Sequence, residues 1–105
     1  MASSRVPPHN LEAEESVLGS VMLSIDAANA VMDRLAASDF YTPSHQAIYE
    51  AIVQLYNENQ PIDAVTVSDM LRRREELERI GGVGYLTRLI DSVPTASNVR
   101  YYTDV

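Results

Sequence analysis

Three carboxylates stand together near the start of the chain, at Glu12, Glu14 and Glu15. Paired carboxylates do general acid–base work when their surroundings push their pKa values apart. Here they follow Pro7-Pro8-His9-Asn10, which stops any preceding structure and then offers an Asn as a helix cap. Acidic side chains in a first helical turn oppose the positive helix end. With no other catalytic group beside them, they are expected to be solvated and to complement the dipole. His9 and His45 are the only imidazoles. The chain has no Cys and no His-Glu-x-x-His spacing, so metal ligation is not expected. His45 lies near an apolar stripe and is assigned a structural role.

Two further groups could bind phosphate. Gly81-Gly82-Val83-Gly84 looks like a cradle, yet it follows a helical pattern and no Gly-Lys-Ser/Thr comes after it. It reads as helix punctuation. Arg72-Arg73-Arg74 is the one basic run, and Glu75, Glu76 and Glu78 follow at once. Pairs four apart on a helix, Arg72–Glu76 and Arg74–Glu78, would neutralise each other. All eight basic residues are Arg, against fifteen acidic ones, for a net charge of −7. Such a surface repels phosphates. Without Lys there is no Walker A loop. No catalytic, cofactor-binding or metal-binding residue is therefore assigned.

The elements that would position these residues are all helical. Leu18, Val21, Met22 and Ile25 recur at helical spacing, and Ala28, Val31, Met32 and Leu35 repeat the pattern behind a possible cap at Asp26. Thr42-Pro43-Ser44 opens a third helix, whose stripe is Ile48, Ile52, Leu55 and Tyr56. Thr66-x-x-Asp69 resembles a capping box ahead of Val67, Met70 and Leu71, and Gly81-Gly82 ends that helix. Val83, Leu86, Ile90 and Val93 form the fifth. Thr95, after Pro94, caps a sixth that runs to Val105. The fold class is all-α, a compact bundle of about six short helices. Residues 1–9 are expected to be a flexible arm and 10–105 one domain. The finish inside a helix suggests a piece of a longer protein. No apolar run approaches the ~20 residues that span a bilayer, and the start has no signal-peptide stretch, so a cytoplasmic location is expected.

If Val83 and Leu86 face inward, Tyr85 lies about 200° from Val83 and points outward with Arg88. A Tyr and an Arg three apart on an exposed face are residue types that anchor interfaces. Tyr85 and Arg88 are the candidate protein-contact residues.

The opening Pro7-to-Gly19 string with Val21-Met22-Leu23 resembles the start of the N-terminal domain of the bacterial replicative DNA helicase, the DnaB family. Asp39-Phe40-Tyr41, His45, Ile48-Tyr49, Ala51-Ile52, Pro61, Asp63 and Val65-Thr66-Val67 continue the match in order. Gly81-Gly82, Tyr85-Leu86, Val93-Pro94-Thr95-Ala96, Asn98 and Tyr101-Tyr102 complete it over Arg5 to Val105. The resemblance implies a hexameric motor that unwinds DNA 5′ to 3′ at the replication fork with ATP and magnesium. Its P-loop and DNA-binding loops belong to a C-terminal RecA-like domain with no counterpart here, so single-stranded DNA, ATP and magnesium are expected partners of the parent alone. The domain itself is expected to support collar formation, self-association as a dimer within the hexamer, and docking of primase and a helicase loader, without enzymatic activity. The helical hairpin that follows the head in the family is not found, which puts strong primase binding by this chain alone in doubt. A small DNA-binding regulator would need an Arg/Lys-rich recognition helix free of neighbouring acids, and a hydrolase would need a nucleophile–base set. A free-standing helical adaptor is the remaining alternative.

Overall fold

Asn10 accepts a hydrogen bond from the N–H of Ala13 at 2.9 Å and starts α1, Leu11–Leu23, as its position after two prolines predicts. The structure, a computed structural model, describes residues 10–93. The expected arm 1–9, His9, and the sixth helix from Thr95 lie outside the described residues. Among those described, the chain is all-α: α1, α2 (Ile25–Met32), a 3-10 turn (Ala37–Asp39), α3 (Pro43–Asn57), α4 (Ala64–Arg73), α5 (Leu77–Ile80) and α6 (Gly82–Asp91). None of these helices is long and apolar enough to cross a membrane.

The local chemistry corrects several expected boundaries. Ser24, not Asp26, caps α2: its hydroxyl accepts from Ala27 N–H at 3.2 Å. Ile25 therefore leaves the α1 stripe and is exposed. The capping box of α4 is Asp63 with Thr66 rather than Thr66 with Asp69. Asp63 Oδ1 accepts from Thr66 N–H at 2.8 Å, while Thr66 Oγ1 accepts from Asp63 N–H at 2.9 Å. Pro43 occupies the first turn of α3 as expected, where its missing N–H costs little.

The helix expected to run to Gly81 instead breaks at Glu75, whose φ of 60° is left-handed. Glu76 and Glu78 are thereby carried off the α4 helix, so the expected Arg72–Glu76 and Arg74–Glu78 pairs do not form as helical neighbours. Arg72 and Arg73 pair with Asp69 instead, at 3.7 and 2.7 Å, and Arg79 pairs with Glu76 at 3.0 Å. Arg74 turns toward α3 and lies 3.7 Å from Glu50. The basic run is still neutralised by acids, with different partners. Gly81, at φ 113°, joins α5 to α6, a conformation that L side chains rarely adopt.

The core is built on α3. Ile48, Tyr49, Ala51, Ile52 and Leu55 are buried there, with Leu18 and Val21 of α1, Val67 and Leu71 of α4, and Leu86 and Leu89 of α6. Phe40 packs on Tyr49 with ring centroids 4.9 Å apart, and the Tyr49 hydroxyl donates to Leu35 O at 2.8 Å. Burial, aided by Asp39, pushes the Tyr49 phenol up to about 12. Ile52→Ala and Leu86→Ala are each expected to cost about 2–5 kcal/mol, the range for truncating a fully buried aliphatic side chain. Urea unfolding checks this; a loss of a few tenths at both positions would contradict the packing described.

The phase of α6 departs from the reading of the sequence. Leu86, Leu89 and Val93 are buried, Ile90 is half-buried and Val83 is exposed. The face is set by α1. Gly19 lets the backbone of α6 approach so closely that a Cβ there would stand 2.3 Å from Leu89 O and 2.4 Å from Val93 Cγ2. That contact rotates Leu89 inward and leaves Val83 outside.

Candidate functional site

Glu14 is not solvated. It is fully buried, one helical turn before Leu18 on the inward stripe of α1. The cause is tertiary: the chain entering α3 aims two backbone donors at it. The N–H groups of Tyr41 and Thr42 both donate to the Glu14 carboxylate. His45, in the first turn of α3 and also buried, completes the set with Nδ1 2.7 Å from Glu14 Oε1. Tyr85 of α6 closes the chain of contacts, its hydroxyl 2.6 Å from His45 Nε2. The two rings stack at 15° with centroids 5.9 Å apart.

Polarity fixes the protons. An ionised carboxylate only accepts, so Nδ1–H of His45 donates to Glu14. In the neutral ring, Nε2 then accepts from the Tyr85 O–H. Burial would raise the Glu14 pKa, but the bonds from His45, Tyr41 and Thr42 outweigh it and hold the carboxyl below its ordinary value. Burial raises the Tyr85 phenol, helped by Glu15 and Glu14 and opposed by Arg88.

Carboxylate, imidazole and hydroxyl thus stand in the order of a nucleophilic triad. The surroundings differ from those of a triad. The backbone N–H groups that could steady an oxyanion are spent on Glu14 itself, and both Glu14 and His45 are sealed from solvent. What the three side chains do is tie α1, the start of α3 and α6 together. Among the described residues no three His, Asp or Glu side chains gather to hold a metal.

His45 is structural, as its place beside the stripe suggests, and Gly81–Gly84 lies at a helix junction. Tyr85 departs from expectation: it is half-buried with its hydroxyl on His45, because the α6 rotation brings position 85 toward α3. Arg88 is exposed, its guanidinium carbon 5.9 Å from the centre of the Tyr85 ring. Glu14 was missed as a core group although a signal was present. It stands at i, i+4, i+7 with Leu18 and Val21, on the buried side of its helix.

Residues 6–105 match the family model described as the DnaB-like helicase N terminal domain. The chain is 52% identical over 101 residues to the replicative DNA helicase DnaB of Mycobacterium leprae, covering 96% of this chain and 17% of that protein. It is 42% identical over 105 residues to the replicative DNA helicase DnaC of Bacillus subtilis, covering 100% of this chain and 23% of that one. The chain thus spans about a fifth of the length of these relatives. Its structure superposes on the N-terminal domain of DnaB helicase from Mycobacterium tuberculosis with a TM-score of 0.82 and 54% identity, covering 92% of this chain and 67% of that one. The chain belongs to the DnaB-like helicase N-terminal domain family.

Proposed function

We propose that this domain serves assembly and partner docking in a hexameric replicative helicase that unwinds DNA 5′ to 3′ with ATP and magnesium. In this reading the domain contributes to a collar through pairing with its copies and receives primase and the helicase loader, in the cytoplasm. It carries out no chemistry itself. The observation that supports this most is the use made of the largely buried polar set among the described residues: Glu14, His45 and Tyr85 spend their hydrogen bonds on joining three helices. Arg88 on the outer side of α6, with the half-buried Tyr85 ring braced behind it, supplies the proposed contact.

The chain is expected to bind neither ATP nor single-stranded DNA measurably in roughly 150 mM salt. Lysine is absent, the net charge is −7, and few phosphate contacts are available to release counterions. Fluorescence anisotropy with a labelled oligonucleotide and calorimetry with ATP check this. Micromolar affinity for single-stranded DNA would overturn a domain devoted to docking.

A further inference from the structure

A groove of about 790 Å³ runs between the α2–α3 connection and the outer side of α3. Its apolar lining includes Met32, Leu35 and Val53, half-buried and packed against the core from outside. The charged side chains along it are Asp33, Glu50, Glu58 and Arg74. The cation is already engaged: Arg74 donates to Gln54 Oε1 and lies 3.7 Å from Glu50. Glu50 is thus paired with Arg74, and Asp33 and Glu58 leave the rim negative over an apolar floor.

We propose that this groove docks a basic amphipathic helix of a partner protein. The aliphatic side of such a helix meets Met32, Leu35 and Val53, as in other helix-in-groove recognition. Its Lys or Arg side chains reach Asp33 and Glu58, and charge complementarity of this kind selects the partner and speeds encounter. The same rim repels nucleic acid. A second groove, lined by Val65 and Val83, has Glu58 and Asp69 balanced by Arg72 and Arg73 and favours neither sign of partner. The proposal rests on the docking reading. It fails alone if removing the whole domain abolishes partner capture while changes in this groove do not.

The test titrates the chain with a helical peptide of about 14 residues bearing Leu at i, i+3, i+4 and i+7 and Lys elsewhere. Backbone amide shifts by NMR give the affinity and the site. The expected result is saturable binding with shifts centred on Met32, Leu35 and Val53. The variant Asp33→Asn/Glu58→Gln should weaken it roughly threefold or more, given two lost charge pairs. The variant Glu12→Gln/Asp91→Asn removes the same charge elsewhere and should leave the affinity nearly unchanged. Equal weakening by both variants would reduce the effect to net charge and overturn the proposal. So would no binding, or concentration-dependent shifts of the groove residues without peptide, which would assign the groove to a second copy of the chain. Both variants are isosteric, and a matching thermal midpoint confirms that each is folded.

Discussion

Gly19→Val is expected to lower stability by about 3 kcal/mol or more, beyond the usual cost of overfilling a core site. A Cβ at this position would lie 2.3 Å from Leu89 O and 2.9 Å from Leu89 C. The obstacle is backbone, so it cannot rotate away as a side chain would. Relief requires α6 to withdraw from α1, which uncovers Leu89 and stretches the contact between Tyr85 and His45. Glycine inside a helix costs about 1 kcal/mol relative to alanine. Even so, Gly19→Ala is expected to be a net loss, smaller than that of Val, because the clash involves the Cβ both share. Urea unfolding of the two variants measures this. A gain in stability for Ala would show that α1 and α6 are farther apart than described.

Glu14→Ala is expected to cost about 3–5 kcal/mol, the range for removing one partner of a buried, hydrogen-bonded pair. It leaves Nδ1–H of His45 and the N–H groups of Tyr41 and Thr42 without their acceptor. The effect also has a pH signature. The folded carboxyl titrates below the ordinary glutamate value of 4.5, so its contribution is fully present above that value. It is lost as pH falls through the folded pKa. The gap between the thermal midpoints of the wild type and Glu14→Ala should therefore be constant near neutral pH and shrink in acid. A gap that persists unchanged at low pH would mean that Glu14 is held for its packing and not its charge.

The helices were legible because local chemistry writes them. Asn10 after two prolines, Pro43 in a first turn and the Ile48–Ile52–Leu55 stripe are all carried by neighbours within one or two turns. Asp63 shows the limit of such reading. A Thr-x-x-Asp string and an Asp-x-x-Thr string overlap at Thr66, and only the backbone before Ala64 decides between them. The phase of α6 was not legible. Val83, Leu86, Leu89, Ile90 and Val93 permit two rotations, and the choice lies with Gly19, more than sixty positions earlier. Tyr85 moved from the outer face to the side of His45 for that reason.

Glu14 is the most instructive case. In the sequence it is one of three glutamates in a first turn, where the dipole accounts for all of them. Its difference from Glu12 comes from Tyr41 and Thr42, whose backbone donors arrive across the fold. The helical phase with Leu18 and Val21 marked it as inward, and that argument outweighs the dipole once its donors across the fold are known. Arg74 is parallel: the left-handed turn at Glu75 ends its helix and commits it to Gln54 and Glu50. No pattern of charges four apart shows that.

Capture of primase by the full-length helicase proposed above, measured by co-sedimentation at fixed salt, tests the proposed docking role most directly. The comparison is between the intact protein, a form lacking residues 1–105, and the intact protein carrying Arg88→Glu. Deletion is expected to abolish capture while ATP hydrolysis by the proposed motor persists, and Arg88→Glu to weaken capture with the thermal midpoint unchanged. Undiminished capture by the form without residues 1–105 would contradict the docking role.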